Sequence, residues 1–209
     1  MFNFFALFRG PSQAARKATE LYGSIVTQAR QPTFYIDYGV PDVAEKRYEL
    51  IVLHLVVVLE RLRAAQDRGD AVRQELVEAF VRDLDGSIRE MAVGDTKVPS
   101  NVKKAAAGLL DRDVLYRQAF AAEDDTGLQQ TGSAPDSSSA ERSADDMTLV
   151  GLLSELVFDG GNARGTQALY SYTLAVRQAL RNGQTDLAPG DLIFARPEDY
   201  LTEVGRGSR

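Results

Sequence analysis

The sequence predicts an all-α fold, a helical bundle interrupted by a long acidic disordered insertion. Three observations carry that expectation. Apolar residues return every three or four positions along most of the chain. The stretch 50–59 is apolar nearly all round and bordered by charged residues, as suits the central helix of a bundle. Across 123–146 core-forming residues almost vanish, and Asp, Glu, Ser, Gly, Ala and Gln take over. These features divide the chain into an aromatic N-terminal segment (1–11), a helical core (12–122), the acidic insertion (123–147) and a C-terminal helical segment with a tail (148–209).

The first helix is expected over 12–30. Ala15, Ala18, Leu21, Tyr22, Ile25 and Val26 line one face, with Ser12 placed to cap the start and Pro32 to stop the end. Next come Phe34, Tyr35, Tyr38, Gly39, Val40, Pro41 and Asp42. An aromatic run with a Gly and a Pro in close succession reads as an ordered connecting loop packed by its own rings. Asp42, with Glu45 three residues on, reads as a capping-box-like start for a helix reaching about residue 67. Its β-branched centre also fits a buried strand, but the flanks Glu45, Lys46, Arg47 and Glu60, Arg61, Arg63 favour one long helix.

Arg68, Gly69 and Asp70 are expected to reverse the chain. Val72, Leu76, Val77, Phe80, Val81, Leu84, Ile88 and Met91 then mark a clean amphipathic helix closed by Gly94. Another helix over about 99–122 uses Val102, Ala106, Leu109, Leu110, Val114 and Phe120. After the insertion, Leu149, Leu152, Leu153, Leu156, Val157 and Phe158 mark a short helix. Ala168, Leu169, Tyr172, Val176 and Leu180 mark a longer one. The tail, punctuated by Pro189, Gly190 and Pro197, is expected to lie across the bundle.

Composition narrows the function. The 209 residues, 44% hydrophobic and 26% charged, suit one globular domain with a real core. A net charge of −6 disfavours DNA or RNA as a partner of the whole molecule and leaves only local basic patches. With no cysteine, disulfides, cysteine zinc sites and thiol nucleophiles are excluded. Phe2, Phe4, Phe5 and Phe8 belong to an apolar run too short for a signal-peptide core, so no cleavable targeting signal is expected. The run is also far below the roughly 20 apolar residues that span a bilayer. It reads either as an aromatic foot on a membrane surface or as a cap on the bundle.

The candidate chemistry is sparse. His54 is the single histidine, so any imidazole-based site must use it. Its helical neighbours Leu50, Ile51, Val57 and Val58 are apolar, which predicts a core histidine whose partner comes from another helix or the aromatic segment. Asp83, Asp85 and Glu90 miss the spacing of a calcium loop, and Arg82 and Arg89 stand beside them, so an ion-paired helix face is expected. Residues 160–166 carry the outer glycines and Thr of a phosphate loop without its Lys, which predicts an inter-helix turn. Lys97, Lys103 and Lys104 form the one basic cluster, either a solvated face or a contact for RNA phosphates or anionic lipid. No catalytic residue, metal or cofactor is expected.

Four linked pieces between about residues 18 and 120 carry a family resemblance. They are Leu21, Tyr22, Ile25, Val26, Ala29 and Arg30; then Pro32 to Tyr35 running into Gly39 to Asp42. Arg47, Tyr48 and Glu49 come next, leading to Leu53, His54 and Leu59 to Leu62. Phe80 to Asp85 continue through Ile88 to Met91 and Val93 to Asp95 to Val98 and Val102, Lys103 and Lys104. In this order they resemble the ubiquinol–cytochrome c chaperone family, assembly factors for cytochrome b of respiratory complex III. Val43 to Lys46 and Pro99 depart from the family pattern. The acidic insertion and the C-terminal segment after it lie outside the resemblance.

The resemblance implies a non-enzymatic chaperone that binds newly made cytochrome b. It also implies possible contacts with the ribosomal exit and a small partner protein, and a bacterial member at the cytoplasmic face of the inner membrane. Within that reading, Phe34, Tyr35, Tyr38, Gly39, Val40, Pro41 and Asp42 shape a groove, unless the rings are buried against the bundle; the three lysines meet phosphates or headgroups, and Phe2, Phe4, Phe5 and Phe8 meet membrane. The rivals are a peripheral membrane adaptor working through its aromatic N-terminus and an all-helical enzyme using His54 with Asp83 and Asp85.

Overall fold

The computed structural model describes residues 11–90, 98–129, 148–183 and 194–201. Among them are α1 (Gln13–Ala29), α2 (Pro32–Ile36), α3 (Ala44–Ala64), α4 (Asp67–Glu90), α5 (Val98–Gln129), α6 (Leu149–Phe158) and α7 (Ala163–Asn182), with a 3-10 turn at Pro197–Tyr200 and no strand. The protein is an all-α bundle. Helix α3 is its axle, packed against α1, α4, α5, α6 and α7. Residues 52–59 of α3 are all buried, which is why that stretch is apolar on every side.

Among the described residues, three helices start on side-chain caps. Ser12 Oγ accepts from the Ala15 amide at 3.0 Å, Thr148 Oγ1 from Gly151 at 3.1 Å, and Asn162 Oδ1 from Gly165 at 2.8 Å. Each satisfies an amide that the helix itself leaves open, for about 1 kcal/mol.

Several boundaries differ from those expected. The aromatic stretch opens as helix α2 rather than as a loop. Pro32 occupies its first turn, where the missing amide hydrogen costs nothing. Asp42 caps nothing: the N-cap of α3 is Val43, without a side-chain bond, and Asp42 instead accepts from Arg47 Nε at 2.6 Å. The chain reverses at Ala65 and Gln66, the latter at φ 53°, so Gly69 already lies in the first turn of α4.

Helix α5 runs through Glu123 to Gln129, past the point where the composition turns acidic. Its inward face also differs from the one expected. Leu109, Tyr116, Ala119 and Phe120 are buried, whereas Leu110 is 64% and Val114 44% exposed. Apolar residues lie on both sides of this helix, so spacing alone could not choose between them. Residues 130–147, Met91 and Gly94 lie outside the described residues.

Candidate functional site

The aromatic segment turns its rings inward. Phe34 and Tyr38 are buried, and Tyr35 is half-buried with its hydroxyl donating to the Ala29 carbonyl at 3.0 Å. The Phe34 ring stands edge-on to Tyr38, His54 and Tyr172, with centroids 5.4, 5.6 and 5.1 Å apart. Edge-on pairs add favourable quadrupole contact to the area they bury. Phe34, one of the three rings expected either to shape a groove or to pack against the bundle, therefore braces α2 against α3 and α7.

His54 lies at the centre of this cluster, 2% exposed. Its Nδ1 lies 2.7 Å from the Leu50 carbonyl, which can only accept, so Nδ1 carries the proton and Nε2 is the acceptor. The Tyr172 hydroxyl donates to Nε2 at 2.7 Å and itself accepts from Gln28 Nε2 at 3.0 Å. Burial pushes the imidazole pKa down to about 4, against the opposing pull of the Leu50 carbonyl, so the ring is neutral at pH 7. The expectation of a hydrogen-bonded core histidine holds, and α7 supplies its partner.

Asp83 accepts from the Tyr22 hydroxyl at 2.9 Å, and Asp85 from Arg89 at 2.7 Å. Neither carboxylate joins His54 in a reactive constellation. Among the described residues no group of three or more His, Cys, Asp or Glu side chains could hold a metal ion.

A strap closes the cluster from outside. The Tyr38 hydroxyl donates to the Pro197 carbonyl at 2.6 Å, Thr33 to Glu198 at 2.8 Å, and the Phe194 ring stands 5.3 Å from His54. Behind the segment, Asn162 Nδ2 donates to the Tyr38 carbonyl at 2.7 Å. Here two backbones nearly touch. Gly39 takes φ +71°, and a Cβ on Gly165 would lie 2.0 Å from the Tyr38 oxygen, so both positions require glycine.

What the segment shows to solvent is aliphatic. Ile36 is 78% and Val43 50% exposed, with Gly39, Pro41 and Asp42 exposed between them and Val40 buried beneath. Asp37 and Arg47 border this rim. Neither Ile36 nor Val43 stood out in the sequence, because single aliphatic residues beside a turn carry no periodic signal. Lys103 and Lys104 are exposed on the first turns of α5. Lys97 and Phe2, Phe4, Phe5 and Phe8 lie outside the described residues.

A second fastening joins α3, α5 and α7. Buried Arg177 lies between Glu60 and Asp124, at 2.8 Å from each, with its guanidinium 4.4 Å above the Phe120 ring centroid. Arg181 reaches the same two carboxylates. The hydrogen bond from Arg181, then that from Arg177, holds the Asp124 pKa down to about 2. Glu123 accepts from the Tyr170 hydroxyl at 2.8 Å. Two acidic residues assigned by composition to the insertion thus tie α5 to α7.

The family model for ubiquinol-cytochrome C chaperones matches residues 37–131, from the exposed rim to just beyond the end of α5. The crystal structure of the Cbp3 homolog from Brucella abortus superimposes with a TM-score of 0.69 at 28% identity, covering 93% of this chain and 97% of that one. Both matches point to the ubiquinol–cytochrome c chaperone family. A search of curated proteins found no match. The structural match extends the relation to α1, α6 and α7, beyond what the family model spans. No described helix is long and apolar enough to cross a membrane.

Proposed function

We propose that this chaperone acts without catalysis, binding newly made cytochrome b through the aliphatic rim of Ile36, Pro41 and Val43 at the periphery of the inner membrane. The observation that carries this reading is the division of one short segment into inward rings and outward aliphatics. The buried side fixes the backbone, so the exposed side is presented with little ordering left to occur on binding. Exposed aliphatic residues on a rigid base suit an apolar client segment before it is fully packed. Arg47, Asp37 and Asp42 supply a polar rim. Lys103 and Lys104, with Lys97, offer a separate contact for phosphates of lipid or ribosomal RNA. A ribosome-exit contact and a small partner protein belong to the same proposal. The enzyme reading is set aside because His54 is sealed and hydrogen-bonded on both nitrogens.

The test is a crosslinked pull-down from actively translating native cells, read by mass spectrometry. Cytochrome b is expected to be enriched by the wild-type chain and lost with I36E/V43E, while circular dichroism and melting temperature stay unchanged. No enrichment, in cells shown to be making cytochrome b, overturns the proposal. The lysine contact is tested separately: K97E/K103E/K104E should lose ribosome or membrane association. Unchanged association removes the lysines from the reading. Lipid binding that disappears only when residues 1–9 are deleted would favour the membrane-adaptor alternative.

A further inference from the structure

Helix α5 carries a second face, with Leu110 and Val114 at its middle, that none of the described residues covers. At 100° per residue, Lys103, Ala107, Leu110, Val114, Gln118, Ala121 and Asp125 fall on one narrow stripe. All seven are exposed. The opposite face holds the buried Leu109, Tyr116, Ala119 and Phe120. Leu110 also lines a groove of about 330 Å³ towards α4, with Leu59, Val77 and Leu109 among charged and polar side chains such as Arg73 and Glu78.

The charges on this stripe identify its occupant. Lys103 lies eleven residues before Val114 and Asp125 eleven after it; Ala107 and Ala121 lie seven to either side. We infer that α5 pairs antiparallel with α5 of a second copy of this chain, about a two-fold axis at Val114. That register sets Val114 against Val114 and Ala107 against Ala121, and brings Lys103 and Lys104 at one end to Asp125 of the copy. Asp111 meets Gln118 on the flank. Val114 at the crossing, with Ala107 and Ala121 seven residues to either side, leaves room for the 8–10 Å separation typical of packed helices. A parallel pairing would set lysine against lysine and aspartate against aspartate, so charge selects the antiparallel arrangement. The interface is isologous, as closed two-fold dimers require. It is separate from the Ile36–Val43 rim, and it covers Lys103 and Lys104, so a dimer and an α5 end docked on phosphates exclude one another.

The absence of cysteine in the chain makes the test direct. A Val114→Cys variant carries a single thiol on the axis, and mild oxidation should convert it to a covalent dimer. Ser87→Cys, exposed on α4, should remain monomeric under the same conditions. Sedimentation equilibrium of the full wild-type chain at up to about 100 µM should show a reversible dimer. Val114→Glu should weaken it by about tenfold or more, because it buries two like charges at the axis. Lys103→Asp/Lys104→Asp and Asp125→Lys should each weaken it, and their combination should restore it. A wild-type chain that stays monomeric overturns the inference. So does a dimer that ignores Val114→Glu or crosslinks no better at 114 than at 87. Circular dichroism of each variant separates lost pairing from lost fold.

Discussion

Helix α7 is fastened to α3 at two places by opposite chemistry. At one, Tyr172 meets His54 in a sealed, uncharged cluster of rings and hydrogen bonds. Six residues further along α3, Arg177 and Arg181 meet Glu60 in a network that reaches the surface and draws in Asp124 of α5. Both contacts advance in the same direction along both helices, so α3 and α7 run roughly parallel. The comparison shows how each environment sets the permitted charge. Where water is excluded, the imidazole gives up its proton to stay neutral. Where water still reaches the carboxylates, two guanidiniums keep Asp124 ionised far into acid.

The largest expected effect lies in the neutral cluster. Phe34→Ala removes a ring in contact with Tyr38, His54 and Tyr172 and should cost about 3–5 kcal/mol in urea unfolding. Retention of wild-type stability would mean that the ring cluster does not hold α2. The next effect is a pH dependence belonging to that same cluster. The folded-state pKa of His54 lies below its unfolded value of 6.5, so the unfolded chain binds more protons as the pH falls through that window. Stability contributed by the neutral ring is therefore present above pH 6.5 and lost progressively towards pH 4, by roughly 3 kcal/mol. Unfolding curves of wild type and His54→Gln across pH 7 to 4 check this, since the variant should lack that component of the slope.

The charged fastening should yield less. Arg177→Ala is expected to cost about 2 kcal/mol, less than the 3–5 typical when one partner of a fully buried pair is removed. Arg181 remains to serve both carboxylates, and Asp124 is partly hydrated. A double-mutant cycle with Arg181 measures the shared part, and strict additivity would show that the two arginines act independently. The smallest effect marks the outer limit of the comparison. Asp42→Ala breaks only the pair with Arg47, both groups exposed, and should leave the melting temperature unchanged.

Much of the frame was legible because its signals are local. The stripe of α4 and the all-round apolar centre of α3 each reflect a periodicity contained within one helix. Ser12 was legible as a cap because the amide it serves is three residues away. His54 read as a core residue because its own helical neighbours are apolar. The proposed docking surface was less legible. The 34–42 segment drew attention through its rings, yet the rings are its internal braces, and the exposed rim consists of Ile36 and Val43 around Pro41.

The sequence by itself determined the helical class, the central place of α3 and the resemblance to the chaperone family, since spacing, composition and motif order are properties of the chain alone. Only the tertiary structure decided which groups meet. Tyr172 comes to His54 across 118 residues of sequence, and Arg177 to Glu60 across 117. Lys46, read in the sequence as part of a charged flank, is buried with its ammonium donating to the Leu156 carbonyl and to Asp159 at the end of α6. In α5 apolar residues lie on both faces, so periodicity marked a helix without saying which side was core. The reason is common to all of these: a local pattern specifies the element, but burial and partnership depend on what the rest of the chain brings against it.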